Sequence, residues 1–178
     1  MKRIILGITG SIAAYKAAEI ARALTKAGHR VDVIMTASAA RFISPLTLQT
    51  LAGHKVHSTL FDEIAVEDVR HISLAKAADL CLVAPATANI IAKLACGIAD
   101  DFLTTTLLAA HGKPIVVCPA MNTAMLAHPA TQRNIQTLKS WGYAIVEPRT
   151  GDLACGEVGT GALADTTRII KTIEEHLC

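Results

Sequence analysis

Asn122 is the polar side chain whose position in the sequence most suggests chemistry. It follows an apolar run that ends in Pro119, and it stands between Met121 and Met125. An apolar run bounded by Gly112 and Pro119 is typical of a buried strand in a parallel sheet, and open α/β sheets bind ligands at the carboxyl ends of strands. The sequence therefore predicts that Asn122 either caps the next helix or contacts a ligand in a crevice.

A second apolar run, Leu80 to Ala84, ends in a similar loop, Pro85-Ala-Thr-Ala-Asn89. Small residues allow a flat ring to lie close to the backbone, and the side chains of Thr87 and Asn89 could bond the polar edge of that ring. The alternative is that the same residues simply begin a helix. A run of three threonines from Thr104 has the same two explanations, because the hydroxyls could bond a ligand or their own helix.

The turn Gly7-Ile-Thr-Gly10-Ser11-Ile12 follows the first apolar run and precedes a helical pattern. It is neither a dinucleotide fingerprint nor a Walker loop, and no acidic residue follows the second strand to hold a ribose. A turn at a helix start can bind an anion, and a mononucleotide phosphate would fit. Thr36 and Ser38 bring two more hydroxyls to the same edge of the sheet. The alternative is that Ser11 is an ordinary N-cap.

His71 and Cys155 are candidate catalytic residues because of their positions in the sequence. His71 precedes the third long strand, at a helix start that favours a neutral, proton-accepting imidazole. Cys155 lies in a glycine-rich segment, about residues 148–163, which is long enough to form a flexible substrate flap. The other six histidines have no clustered acidic or sulfur ligands, so no metal site is predicted.

Composition restricts the classes of function. The chain has 178 residues, of which 52% are hydrophobic and 18% charged, with a mean hydropathy of +0.41, so we expect both buried parallel strands and apolar subunit interfaces. A net charge of +2 without a basic block disfavours nucleic acid and membrane partners. Five widely spaced cysteines indicate a reducing cytoplasm, and no apolar run approaches the ~18 residues that span a bilayer.

The pattern of elements predicts an α/β fold. Residues 3–8 and 31–35 read as strands joined by an amphipathic helix that Gly28 ends, which makes a βαβ unit. Residues 55–70 read as an irregular excursion. We expect a three-layer, Rossmann-like or flavodoxin-like parallel sheet with helices on both faces, in a single domain over residues 1–178.

Together these segments resemble the homo-oligomeric, flavin-containing cysteine decarboxylases, over nearly the whole chain. The flap sequence resembles the branch of that family that works in coenzyme A biosynthesis, since the peptide decarboxylases typically lack its cysteine. The segments that carry the resemblance are Gly10-Ser-Ile-Ala-Ala-Tyr-Lys16, the segment starting His71-Ile, Pro85-Ala-Thr-Ala-Asn89, Ala99-Asp-Asp-Phe-Leu-Thr104, Pro119-Ala-Met-Asn122 with Met125, and Ala154-Cys-Gly-Glu157 with Gly159 and Gly161.

The resemblance implies bound FMN and a homotrimer, or a multiple of trimers, with active sites between subunits. His71 matches the active-site histidine, Asn122 the residue that holds the substrate carboxylate, and Cys155 the proton donor. The implied cofactor contacts are Gly10, Ser11, Ile12, Thr36, Ser38, Pro85, Ala86, Thr87, Ala88, Asn89, Thr104 and Thr105. The implied substrate contacts are Ala120, Met121, Asn122, Met125, Ala154 and Cys155.

The implied chemistry is oxidative decarboxylation of a small-molecule cysteine derivative. Loss of CO2 from such a carboxylate leaves a carbanion that cannot delocalise, and oxidation of the C–SH group to a thioaldehyde supplies the electron sink. Re-reduction of the resulting enethiolate needs a proton donor, which the accessible Cys155 would be. The alternatives are a peptidyl-cysteine decarboxylase and a non-catalytic FMN-binding regulatory protein.

Two features depart from the family pattern. Leu126 stands where an aromatic residue commonly follows the second methionine, so substrate packing there is expected to differ. The sequence also lacks the ligase domain that many bacterial members carry, so we expect either a stand-alone enzyme or one domain of a longer one.

Overall fold

A central parallel sheet organises the chain, and a computed structural model describes residues 1–60, 69–152, 156 and 158–177. Its five strands lie in the order β2-β1-β3-β4-β5, and every neighbouring pair is parallel. This strand order is the flavodoxin-like one and confirms the predicted fold class. The strands are β1 Arg3–Ile8, β2 Arg30–Met35, β3 Leu80–Ala86, β4 Ile115–Pro119 and β5 Ala144–Ile145.

Helices cover both faces of the sheet. Those of the described residues are α1 Ala17–Lys26, α2 Pro45–Ala52, α3 Arg70–Ala77, α4 Ala88–Cys96, α5 Phe102–Ala109, α6 Thr123–Ala127, α7 Pro129–Ser140 and α8 Thr166–Leu177. None of these helices has the length and apolar character needed to cross a bilayer.

The strands alternate their side chains between two apolar cores, as a sheet covered on both faces requires. Ile4, Leu6 and Ile8 of β1 pack in one core with residues of α1, α2 and α8. Ile5 lies in the other core with residues of α3, α4, α5 and α7. The helix α5 approaches β1 so closely that a Cβ on Gly7 would stand 2.5 Å from Leu103 Cδ1.

The predicted helix after β1 begins differently from the expectation. Its first turn, Ile12–Lys16, is a 3-10 helix, and the α-helix starts only at Ala17. The Ser11 hydroxyl caps that 3-10 turn by accepting a hydrogen bond from the backbone N–H of Ala13, at 3.3 Å. Such turns are frequent at helix N-termini, and the periodicity of apolar residues cannot distinguish them from α-helix over five residues.

Two short strands occupy the glycine-rich segment in which no strand was predicted. β6, Arg149–Asp152, pairs antiparallel with β7, Val158–Ala162, and we call this pair the ribbon. The hydrophobic pattern missed it because its residues, Arg-Thr-Gly-Asp and Val-Gly-Thr-Gly-Ala, lack the β-branched apolar alternation of a core strand.

A buried carboxylate joins β1 to β2. Asp32 is 2% exposed and accepts a hydrogen bond of 2.6 Å from Arg3 Nε and one of 3.3 Å from Arg30 Nη2. Burial by itself raises the pKa of the Asp32 carboxyl, but the hydrogen bonds from the two arginines outweigh burial and hold that pKa below its usual value of 3.8. The ionised form therefore stabilises the fold.

We predict that Asp32→Asn lowers the free energy of unfolding by about 2 kcal/mol at neutral pH, since hydrogen bonds to a charged group are lost. Because the folded pKa is depressed, the contribution is present above the unfolded pKa and disappears as the pH falls through the folded pKa below 3.8. Urea denaturation at neutral and acidic pH measures this, with Glu175→Gln on the exposed face of α8 as the control. If wild type and Asp32→Asn differ in free energy of unfolding by the same amount at both pH values, the ionised Asp32 does not stabilise the fold as proposed.

Candidate active site

A cavity of about 510 Å³ lies at the carboxyl edge of the sheet. Its walls are the turn after β1, the loop after β4 and the ribbon. Five of the predicted site residues line it, and two basic side chains that were not predicted, Lys16 and Arg149, line it with them. The predicted residues in its wall are Ser11, Ile12, Ala120, Met121 and Asn122.

The sheet changes winding direction between β1 and β3, which is where flavodoxin-like sheets form their ligand crevice. Thr9, 2% exposed, holds this crevice together. Its hydroxyl donates to the backbone oxygen of Pro85 at 2.7 Å and accepts from the backbone N–H of Thr87 at 3.1 Å. Sequence reasoning missed Thr9, although a hydroxyl directly at the end of β1 was the available signal.

The predicted phosphate residues come together at this edge. A side chain at Gly10 would collide with the side chain of Ser38, so the turn after β1 and the loop after β2 are in direct contact. Thr36 and Ser11 each accept a hydrogen bond from a backbone N–H through the side-chain oxygen, and a hydroxyl that accepts keeps its own proton to donate. Gly10, Ser11, Ile12, Thr36 and Ser38 offer hydroxyl and backbone N–H donors and contribute no carboxylate. This set of donors suits an anion.

The predicted ring-binding loop is only partly accessible. Pro85 and Ala86 are buried, and the bond between Ala84 and Pro85 is cis. Thr87 caps α4 by accepting from the N–H of Ile90 at 3.3 Å. The half-buried Thr87 and Ala88 and the exposed Asn89 are therefore the members of this loop that a ligand can touch. None of the three lines the cavity.

The threonine run in α5 is explained mainly by the helix itself. Thr104 is fully buried and forms a capping box with Asp101, in which the Thr104 N–H donates to the carboxylate at 2.8 Å. Thr106 donates to the backbone oxygen of Phe102 at 2.6 Å. Thr105 is half-buried, and its hydroxyl makes a long contact of 3.4 Å with Ala99 O, so it is the member of the run open to a ligand.

Asn122 is both a helix cap and a residue of the cavity wall, and its predicted contact with a ligand stays a prediction. Its side-chain oxygen caps α6 by accepting from the N–H of Ala124 at 2.8 Å, and the residue lines the cavity. The amide nitrogen of an asparagine carries protons and donates, whereas its oxygen only accepts. Met125 is 50% exposed on α6 and does not line the cavity. Leu126 is partly buried against the core that α3, α4, α5 and α7 cover.

The ribbon is attached to the loop that carries Asn122. The backbone N–H of Met121 donates to the oxygen of Gly161 at 3.0 Å. A side chain at Gly161 would run into the backbone oxygen of Met121, so this approach requires glycine. The loop after β4 is also tied to β3, because Ala120 N–H donates to Ala86 O at 3.0 Å.

Of the other two predicted catalytic residues, the structure describes His71 but not Cys155. His71 is the second residue of α3, half-buried, on the face of the sheet that α5 also covers. It does not line the cavity. Ala154 and Cys155 lie outside the described residues.

Cys81 and Cys118 are inert by environment. Both are buried in strands, and burial raises the pKa of the Cys81 thiol to about 12 and that of the Cys118 thiol still higher. Neither can supply a thiolate near neutral pH. Within the described ranges, no three histidine, cysteine or acidic side chains are grouped closely enough to hold a metal ion.

These features define a flavodoxin-like protein with a hydroxyl-rich sheet edge and a neighbouring cavity, and the chain belongs to the flavoprotein family, whose model matches residues 1–178. It is 50% identical over 177 residues to a probable phosphopantothenoylcysteine decarboxylase of Streptococcus mutans, covering 99% of both chains. It is 51% identical over 175 residues to the coenzyme A biosynthesis bifunctional protein CoaBC of Bacillus subtilis. That match covers 98% of this chain but only 43% of the relative.

Solved structures that resemble this chain include two decarboxylases. A PPC decarboxylase mutant complexed with pantothenoylaminoethenethiol superposes with a TM-score of 0.87 at 31% identity, covering 98% of this chain and 97% of that one. The FMN-dependent cysteine decarboxylase SpaF superposes with a TM-score of 0.81 at 33% identity, covering 97% and 98%.

We predict that Thr9→Val weakens both the fold and flavin binding. The substitution keeps the shape of the side chain but leaves the buried Pro85 oxygen and Thr87 N–H without their partner, at a cost of about 1–3 kcal/mol. Thermal unfolding and FMN titration by flavin fluorescence measure the two effects. The matched control is Thr9→Ser, which keeps the hydroxyl and should retain most of the affinity. Equal FMN affinity of Thr9→Val and wild type would show that the crevice does not depend on this bridge.

Proposed function

We propose that the chain is an FMN-dependent decarboxylase that converts 4′-phosphopantothenoylcysteine to 4′-phosphopantetheine in coenzyme A biosynthesis. The observation that carries the proposal is the cavity at the carboxyl edge of the sheet, which Asn122 lines. Full-length identity of 50% to the Streptococcus mutans relative supports the substrate assignment. Residues 1–178 would form a single FMN-binding domain that works in the cytoplasm.

The residues at the β1–β3 crevice fit FMN. The hydroxyls of Ser11, Thr36 and Ser38, beside the close contact at Gly10, would hold the phosphate together with the backbone of Ile12. The accessible part of the β3 loop, Thr87 to Asn89, would lie against the ring, with Pro85 and Ala86 fixing its backbone from below. Thr105 is placed to contact the flavin, whereas Thr104 would contribute by fixing the start of α5.

When bound, FMN supplies the oxidation of the substrate C–SH group to a thioaldehyde and the later return of the hydride. The contribution of the chain is to orient the substrate and to supply protons. The amide nitrogen of Asn122 would donate to the carboxylate that leaves as CO2, and Ala120 and Met121 would form the wall beside it. The N-cap hydrogen bond from the Ala124 N–H would hold the Asn122 amide in this orientation before the substrate binds.

A neighbouring copy of the chain would complete the site. His71 does not line the cavity of its own chain, so we infer that His71 of one subunit would face the cavity of the next in a homotrimer or a multiple of trimers. Large apolar side chains exposed on the surface, such as Phe42 at 48% and Leu46 at 69%, support burial between copies. Cys155, outside the described residues, would protonate the product.

Purified protein should be yellow, should have the mass of three chains or a multiple of it in light scattering, and should release CO2 from 4′-phosphopantothenoylcysteine.

Cys155→Ser should still release CO2 but accumulate the oxidised enethiol, because the proton donor is missing. Mass spectrometry distinguishes the two products, which differ by two hydrogens. A peptide that ends in cysteine is offered to the wild-type protein as a second substrate, to test the alternative of a peptidyl-cysteine decarboxylase. Decarboxylation of the peptide alone would support a peptidyl-cysteine decarboxylase, and bound FMN without any turnover would support a regulatory flavoprotein.

We further predict that Asn122→Asp lowers kcat/KM by on the order of 100-fold while the protein stays folded. Aspartate caps helices as well as asparagine does, so α6 is preserved, but it presents a negative charge where the amide would donate to the substrate carboxylate. Asn134→Asp makes the same chemical change on α7, away from the cavity, and is the matched control. The assignment fails if both variants keep wild-type kcat/KM.

A further inference from the structure

Arg149 is a cation in the cavity wall to which the decarboxylation step gives no task. It is the first residue of β6, and the described lining carries Lys16 as a second cation and one carboxylate, the exposed Asp152. These charges leave the described wall of the cavity with a net positive charge. A largely apolar cavity with an excess of positive charge selects for an anionic group on its ligand.

The guanidinium of Arg149 is poorly partnered within the described part of the chain. Its Nε is buried and forms no hydrogen bond there, although buried donors in proteins nearly always find one. Asp165 Oδ1 lies 3.4 Å from this nitrogen, within ion-pair range. The Asp165 side chain is 72% exposed, so solvent screens the pair and its partner can be exchanged at little cost.

The ribbon makes room for this guanidinium. A Cβ on Gly151 would stand 2.6 Å from Arg149 Nη1, so the arginine head lies directly over the backbone of its own strand. The absence of a side chain at residue 151 therefore sets where the charge is placed along the cavity wall. A methyl group at residue 151 would move the guanidinium without removing its charge.

We propose that Arg149 binds the phosphate of the substrate and makes the enzyme prefer the phosphorylated over the unphosphorylated form. This inference rests on the proposed function. The substrate has two anionic groups, a carboxylate and a phosphate, and the neutral amide of Asn122 is assigned to the carboxylate. The forked guanidinium matches a phosphate dianion in shape and charge, which a neutral amide does not. On this assignment the two groups anchor the substrate at different walls of the cavity, the β4 loop and the ribbon.

The test compares 4′-phosphopantothenoylcysteine with pantothenoylcysteine as substrates. In Arg149→Gln, the ratio of kcat/KM for the phosphorylated to that for the unphosphorylated substrate should fall about 10- to 100-fold, the size of a lost charge-assisted hydrogen bond. Arg149→Lys, which keeps the charge but not the fork, should recover part of the ratio, and Gly151→Ala should lower it. Arg133→Gln, an exposed arginine on α7 outside the cavity, is the matched control and should leave the ratio unchanged.

Binding provides a readout that does not depend on turnover. Calorimetric titration of the FMN-loaded protein with 4′-phosphopantetheine and with pantetheine should show a preference for the phosphorylated compound that Arg149→Gln removes. Equal losses for both compounds, or an unchanged ratio, would overturn the inference. A selective loss of FMN affinity in Arg149→Gln would also overturn it, because the arginine would then serve the flavin phosphate. If wild type binds both compounds but decarboxylates neither, the proposed function fails while the titrations still decide the role of Arg149.

Discussion

The proposed active site depends on two hydrogen bonds formed by the buried hydroxyl of Thr9. It bonds both the oxygen of Pro85 and the N–H of Thr87, and so it joins the ends of the two strands between which the sheet reverses its winding. The backbone of the next strand is attached to the same place through Ala120 and Ala86. Three strand ends therefore form one rigid edge, from which the residues assigned to the flavin and to the substrate project.

At this edge, capping a helix is compatible with the proposed contact with a ligand. Ser11, Thr87 and Asn122 each cap a helix that starts at a strand end, and each had an ordinary structural explanation in the sequence. A cap uses the side-chain oxygen as an acceptor, whereas hydroxyl and amide protons are donors. The same hydrogen bond that begins the helix therefore also restrains the side chain, so under the proposed function the ligand would have less ordering to impose on it at binding.

The fold was largely predictable because its strands are long apolar runs and its helices are amphipathic. β1 at Arg3–Ile8 and α8 at Thr166–Leu177 follow directly from those patterns. The ribbon was not predictable, since its pairing depends on backbone contacts such as that of Gly161 with Met121 rather than on apolar periodicity. The place of Asn122 in the cavity wall could be predicted from its position after a strand. Thr9 gave only one signal, its hydroxyl at the end of β1, and Arg149 gave none. The importance of these two residues depends on contacts with residues 76 or more positions away or with a cavity.

The backbone hydrogen bond between Met121 and Gly161 links the ribbon to the loop that carries Asn122. A displacement of β7 large enough to break this hydrogen bond would first pull on the peptide group between Ala120 and Met121, one residue before Asn122. Under the proposed function, loosening the ribbon to admit or release a molecule would thus also relax the orientation of the Asn122 amide. Access to the cavity and alignment of the substrate carboxylate would then be coupled through main-chain atoms.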